Sequence, residues 1–110
     1  MIKLLPAYDF SKAGLKTMKG KFESGELFLS AGVKKRVSED KKFSLFVYNS
    51  FHRHTSGDWG DCDPADAKEN NFSVNKNLRI VSVYKYGDEK IWAITEADRK
   101  STIILLPSEY

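Results

Sequence analysis

The chain has 110 residues, of which 41% are hydrophobic and 30% are charged, and its formal net charge is +3. This length predicts a single domain with a small core, and the composition excludes a largely disordered chain. No apolar run is long enough to span a bilayer, and the N-terminus lacks a signal-peptide pattern. The single cysteine, Cys62, excludes an internal disulfide, so we expect a soluble protein of the cytoplasm.

The N-terminal part of the chain predicts short elements. Residues 1–24 are interpreted as an N-terminal extension of a single domain that covers residues 1–110. The elements predicted here are a strand over Ile2–Leu5 ended by Pro6, a helical turn over Lys12–Lys19, and a strand over Glu26–Ser30.

Two helices are predicted next. Ser30 is a suitable N-cap for a short helix over Ala31–Val37. Asp40 can cap a longer helix, which should end near Arg53 and His54, because basic side chains favour the negative end of a helix dipole. The apolar residues of this longer helix recur at helical spacing and are Phe43, Phe46, Val47 and Phe51.

A third helix is indicated by Asp63, which is followed by Pro64 at the first helical position. This helix is predicted to run to about Asn71. A polar connector over Ser73–Asn77 should then lead into the sheet.

From Leu78 onward the apolar residues alternate, which predicts strands. Leu78, Ile80, Tyr84 and Tyr86 would share one face. The predicted strands are Leu78–Tyr86, Lys90–Thr95 and Thr102–Leu106, and a hairpin at Gly87-Asp88 joins the first two. The predicted fold class is α+β. A three- to four-stranded antiparallel sheet with a C-terminal meander would carry two or three short helices packed on one face.

An acidic segment, residues 54–70, begins at the end of the long helix with turn-rich sequence and extends into the third helix. Clustered carboxylates repel one another unless a cation or an arginine neutralises them. The segment is therefore either structural, with helix-start residues and arginine partners, or a divalent-metal site.

A second polar group, Glu96, Asp98 and Arg99, follows the strand over Lys90–Thr95. Glu96 and Asp98 can cap turn amides, and Arg99 can fork onto a carboxylate of the acidic segment. The two groups would then form one network, either a structural clasp or a binding site. Its predicted members are Asp58, Trp59, Asp61, Asp66, Asn70, Glu96, Asp98 and Arg99.

The order of these motifs resembles a family of small bacterial proteins found on plasmids, phages and other mobile elements, some of them labelled as restriction-associated. The resemblance covers about residues 27–110. Its main motifs are Ser56–Asp61, which contains GDWGD, then Asp63, Asp66 and Asn70, then Ile94–Arg99, which contains ITEADR, and Leu105–Pro107 with Glu109-Tyr110. The resemblance implies a mobile-element setting and an α+β domain, and it implies no catalytic activity.

We predict a non-enzymatic accessory protein that works in the bacterial host cytoplasm and inhibits a host defence system, either restriction or CRISPR. An acidic surface can occupy the nucleic-acid channel of such a system because carboxylates replace phosphates there. This function requires a protein partner and no cofactor. It is compatible with a monomer or a homodimer.

Two alternatives are open. A metal-dependent hydrolase or nuclease would hold a divalent cation with Asp58, Asp61 and Glu96, with His54 as general base and Arg99 on a phosphate. A regulator that binds nucleic acid directly would use a basic patch. That patch consists of Lys34, Lys35 and Arg36.

Overall fold

The computed structural model describes residues 4–6 and 20–110. The elements are β1 (Leu4–Pro6), β2 (Glu26–Ser30), α1 (Ala31–Glu39), α2 (Lys41–Thr55), α3 (Pro64–Lys76), β3 (Ile80–Tyr86), β4 (Glu89–Thr95), β5 (Ser101–Leu105) and a 3₁₀ turn (Pro107–Glu109). The predicted α+β class is confirmed. Within these residues no helix combines the length and the apolar character that crossing a membrane requires.

The described strands form one sheet in the order β1-β2-β5-β4-β3. The C-terminal meander is present as predicted, with β3 antiparallel to β4 and β4 antiparallel to β5. The sheet is nevertheless mixed, because β2 runs parallel to β5. Parallel neighbours need a long crossover, and here three helices and two strands separate the pair along the chain. Alternating patterns identify strands but carry no signal for such distant partners.

All three predicted helix caps are present. The Ser30 hydroxyl accepts from the Val33 N–H at 3.3 Å, and the Asp40 carboxylate accepts from the Lys42 N–H at 2.9 Å. The Asp63 carboxylate accepts from the Asp66 N–H at 3.1 Å. These side chains satisfy amide groups that the first turn of each helix leaves without a partner.

The third helix is longer than predicted. It continues to Lys76 and ends at Asn77, which has a left-handed φ of 50°. The expected polar connector over Ser73–Asn77 is therefore wrong. The inward positions of this helix are polar, since Asn70 and Ser73 are its buried residues, and an apolar pattern cannot reveal such a helix.

The core lies between the sheet and the first two helices. The helical members of the core cluster are Val33, Phe43, Val47 and Phe51, and the strand members are Leu29, Tyr84, Ile91, Ala93 and Ile104. α3 instead contacts β3, which lies at the opposite edge of the sheet from β1. The prediction of helices on one face thus holds for α1 and α2. The strand predicted from Leu78 begins instead at Ile80, and Leu78, which precedes it, is 44% exposed.

Part of what was predicted for the N-terminal residues can be compared with the structure. The edge strand is present as Leu4–Pro6 and includes Pro6, while the helical turn predicted over Lys12–Lys19 lies outside the described residues. Residues 20–24, predicted as part of an extension, pack against the domain. The Lys21 N–H donates to the Thr55 carbonyl at 2.7 Å.

Candidate functional site

The acidic segment covers the open edge of β3. The Asp61 N–H donates to the Val83 carbonyl at 2.6 Å, and the Val83 N–H donates to the Trp59 carbonyl at 3.2 Å. Gly60 forms a parallel bridge to Val83 and has a φ of 73°. A Cβ at Gly60 would lie 2.0 Å from the Val83 carbonyl oxygen, so glycine is required for this close approach.

Two side chains of the acidic segment also form hydrogen bonds with the edge of β3. The Asp61 carboxylate accepts from the Lys85 N–H at 3.1 Å. The Asn70 side chain accepts from the Val81 N–H at 3.1 Å and donates to the Val81 carbonyl at 2.6 Å. Both backbone groups of Val81 and of Val83 are therefore satisfied, and an edge that could pair with another strand is closed.

Asp58 is held by an arginine from α2. Its carboxylate accepts two hydrogen bonds from Arg53, at 2.7 and 3.1 Å, and one from the Gly60 N–H at 3.0 Å. The Arg53 hydrogen bond lowers the pKa of the Asp58 carboxyl, and burial opposes this shift more weakly. The Tyr84 hydroxyl donates to the Asp58 carbonyl at 2.6 Å. Asp58 is thus a turn residue with an arginine partner.

The Trp59 side chain contacts the segment before β2, the end of α2 and α3. It is 6% exposed, and its indole N–H donates to the Asn71 side chain at 2.8 Å. Its ring stacks on Phe22 at a centroid distance of 6.1 Å and meets His54 edge-on at 6.0 Å. The side chain is therefore part of the packed interior.

His54, the general base of the hydrolase alternative, is fully buried. Its Nδ1 lies 2.6 Å from the Ser82 hydroxyl, and its Nε2 lies 2.8 Å from the Thr95 hydroxyl. The Thr95 and Thr102 hydroxyls are 2.7 Å apart, and Thr102 donates to the Ser24 carbonyl at 2.7 Å. A continuous chain of hydrogen bonds therefore links α2, the three strands β3, β4 and β5, and residue 24.

The direction of this chain assigns the histidine tautomer. Because Thr102 donates to a carbonyl, its oxygen accepts from Thr95, and Thr95 in turn accepts from the Nε2–H of His54. Nδ1 then accepts from Ser82. Burial, followed by the charge of Arg99, lowers the pKa of His54 to about 3. The imidazole is neutral with its lone pair occupied, so it cannot serve as a general base here.

Arg99 binds backbone carbonyls rather than the acidic segment. One guanidinium nitrogen donates to the Leu78 carbonyl at 2.7 Å and to the Glu96 carbonyl at 3.0 Å, and the other donates to the Ser73 carbonyl at 2.8 Å. Ser73 lies in the last turn of α3, where a cation is favourable. The expected ion pair between Arg99 and the acidic segment is therefore wrong, and the single predicted network is two separate groups.

The other members of the second group have local roles. Glu96 pairs with Arg79 at 3.5 Å, and both side chains are largely exposed. The Asp98 carboxylate accepts from the Lys100 N–H at 2.9 Å, which is the turn-capping role predicted for it.

The residues of the hydrolase alternative are not brought together. Asp61 contacts Lys85, whereas Glu96 follows Thr95, whose partner across the ladder is Ile80. Ile80 and Lys85 are about 16 Å apart along the strand, at about 3.3 Å per residue. Within residues 4–6 and 20–110, no group of three His, Cys, Asp or Glu side chains is arranged to hold a metal ion.

The predicted basic patch lies on α1. Arg36 forms an ion pair with Glu89, and its guanidinium carbon lies 4.1 Å from the centroid of the Phe43 ring. Lys35 is exposed and Lys34 is half-buried. The charge of Arg36 is therefore engaged within the fold.

All five carboxylates of the acidic segment are exposed, and we refer to the four that remain when the arginine-bound Asp58 is set aside as the acidic row. They are Asp61, Asp63, Asp66 and Glu69. Within residues 20–110 the ion pairs are made by other acids, namely Asp58, Glu89 and Glu96. The row therefore presents net negative charge at the start of α3.

Sequence reasoning missed Glu109, which fastens the end of the chain to α1. Its carboxylate accepts from the Gly32 N–H at 2.9 Å, from the Leu106 N–H at 3.0 Å and from the Ser30 hydroxyl. Burial opposes ionisation, but these hydrogen bonds, led by that from Ser30, lower the pKa of Glu109. No local pattern indicates which helix N-terminus a distant carboxylate will reach.

Sequence reasoning also missed the partners of His54. Ser82, Thr95 and Thr102 occupy inward strand positions, where each is almost fully buried. A signal was present, because Ser82 interrupts an inward row of apolar residues and a buried hydroxyl requires a partner.

No family model, curated protein or solved structure gives a significant match to this chain. The mobile-element setting therefore stays a prediction from motifs, and a proposal of function rests on the geometry and charge described above.

Proposed function

We propose that this protein is a non-enzymatic accessory protein of a mobile element. It binds a host defence protein, of the restriction or CRISPR type, by presenting carboxylates where that protein holds nucleic acid. The observation that carries the proposal is the acidic row, which is exposed and has no basic partner among residues 20–110. Surfaces of complementary charge accelerate association and select the partner.

The roles of the remaining polar residues support a binding protein over an enzyme. Asp58 is engaged by Arg53, His54 is buried in a chain of hydroxyls, and Arg99 is engaged by three carbonyls. The hydrogen-bonding capacity of these groups is used within the fold, which supports structural rather than chemical roles for them. The resemblance to mobile-element proteins supports the same conclusion, because such elements gain from blocking host defences.

Two carboxylates of the acidic row can be changed without disturbing the fold. Asp61 binds the edge of β3 and Asp63 caps α3, so the informative variant is the double change Asp66→Asn with Glu69→Gln. A matched control neutralises two exposed acids elsewhere, Glu39→Gln with Asp88→Asn, and changes net charge equally.

The test is the plating efficiency of a phage on strains that carry one defined restriction or CRISPR system, compared with strains that lack it. Wild type should raise plating only on defended strains. The control should retain this effect and the double variant of the acidic row should lose it. Wild type that raises plating on no strain of a broad panel would contradict the proposal.

A further inference from the structure

A groove of about 330 Å³ lies between α3 and the sheet face opposite to α1 and α2. Its floor is formed by Val81 and Val83, and its helical wall carries Asp66 and Glu69, the last two members of the acidic row. Arg79 lies among its lining residues. The groove thus joins the acidic row to an apolar surface.

The apolar floor follows from the alternation of β3. Ile80, Ser82 and Tyr84 are buried on the core side, so Val81 and Val83 face the opposite side and are only half-buried. Across the ladder Val83 pairs with the half-buried Trp92, whereas Val81 pairs with Ile94, which is only 2% exposed. The accessible apolar strip therefore continues from the groove onto β4 at Trp92.

Aromatic residues border the strip. The rings of Trp92 and Tyr110 are 5.3 Å apart, and Tyr110 is 60% exposed. Arg79 donates to the Tyr110 hydroxyl at 2.8 Å. On α3, Phe72 lies one turn beyond Glu69 and is 56% exposed. Trp, Tyr and Arg are the residue types that supply most binding energy in protein interfaces.

The two ends of this face carry charges of opposite sign. Asp66 and Glu69 line the α3 side, while the charge of Arg79 is offset by Glu96 at 3.5 Å. Lys85 and Lys90 face each other beyond the Val83–Trp92 pair, at the hairpin end. The helical wall is therefore negative, and the hairpin end of the same face is positive.

We propose that this groove binds a basic, amphipathic segment of a partner protein. Apolar side chains of that segment would cover Val83 and Trp92, and its Lys or Arg side chains would meet Asp66 and Glu69. Nucleic acid is a poor occupant, because the helical wall would repel phosphates. The inference deepens the proposed function and rests on it, since it specifies how a basic partner is held.

The probe is a synthetic amphipathic peptide with Leu on one face and Lys on the other, compared with a scrambled peptide of identical composition. Binding is followed by the two tryptophan indole N–H signals in NMR spectra. The Trp92 signal should shift on titration. The Trp59 signal should not shift, because that ring is 6% exposed and its N–H is bonded to Asn71.

Charge reversal tests the wall of the groove. Glu69→Lys should weaken binding of the amphipathic peptide by about tenfold, the effect of losing one well-placed charge pair. Asp88→Lys is the matched control, because it makes the same charge change in the exposed β3–β4 turn. Both changes are at exposed positions, and a thermal melt of each variant checks that the fold is kept.

The outcomes separate this inference from the proposed function. Equal binding of the scrambled peptide would overturn the proposed role of the groove, because it would show that binding depends only on the charge of the acidic row. If the protein still protects phage but binds no peptide, the proposed role of the groove is overturned and the proposed function is not. Self-association that Glu69→Lys abolishes would overturn it in favour of a second copy. Failure of both assays would overturn both proposals.

Discussion

Asn70 pairs with both backbone groups of Val81, accepting from its N–H at 3.1 Å and donating to its carbonyl at 2.6 Å. A side-chain amide thus replaces the next strand of the sheet. Together with Trp59 and Asp61, whose backbones bind Val83, it ends the sheet at β3. The acidic segment therefore closes an edge with its backbone while its exposed carboxylates remain at the surface.

Replacing Asn70 should destabilise the domain. Asn70→Ala removes the buried side chain that binds the N–H and the carbonyl of Val81, and it should lower the free energy of unfolding by about 1–3 kcal/mol. Chemical denaturation measures this change. Asn75→Ala, at an exposed position of the same helix, is the control and should have little effect; equal stability of the two variants would contradict the proposed role.

Gly60 is expected to be irreplaceable for a steric reason. Gly60→Ala would place its Cβ 2.0 Å from the Val83 carbonyl oxygen, and the segment would have to leave the edge. Gly87→Ala is a matched control, because Gly87 also has a positive φ of 61° but no atom lies within 4 Å of its Cβ position. Hydrogen exchange at the Val83 amide should accelerate in Gly60→Ala only. Equal acceleration in both variants would mean that backbone strain alone is responsible.

The pH dependence of stability should reflect His54. Its folded pKa of about 3 lies below the ordinary value of 6.5, so the unfolded chain binds the proton more readily. The stability that neutral His54 provides is complete above about pH 6.5 and is lost as the pH falls towards 3, at up to about 1.4 kcal/mol per pH unit.

Titration of the two histidine side chains by NMR tests this shift directly. His54 should show no titration between pH 7 and about pH 4, consistent with its buried site. His52 is the internal reference, since it lies near the end of the same helix and burial lowers its pKa too, at a half-buried position. A titration midpoint near 6.5 for His54 would contradict the assigned chain of hydrogen bonds.

Arg99 should not tolerate lysine. A lysine amine cannot reproduce the fork that reaches the carbonyls of Ser73, Leu78 and Glu96, so Arg99→Lys should lower the free energy of unfolding by about 1–3 kcal/mol. Hydrogen exchange should rise in the last turn of α3. Arg79→Lys, which changes a solvent-exposed ion pair, should be nearly neutral by the same measurements. An unchanged free energy of unfolding for Arg99→Lys would show that these carbonyls do not require a guanidinium group.

Local chemistry is what the sequence by itself determined about this protein. Ser30, Asp40 and Asp63 cap helices because a short polar side chain needs only the amides two or three residues ahead. The hairpin at residues 87–88 was equally predictable, since glycine readily adopts the positive φ of 61° seen there. These interactions span a few residues, so the sequence specifies both partners.

Only the tertiary structure decided what the polar residues do. The pairs Asn70 with Val81 and Arg99 with Ser73 join separate elements, and so does His54 with Ser82. A buried polar group must find a partner, but the sequence does not say which distant group will be within reach. Folding brought the open edge of β3, the end of α3 and the buried strand hydroxyls within reach of these side chains. It also left the acidic row exposed and without an ion-pair partner among residues 20–110.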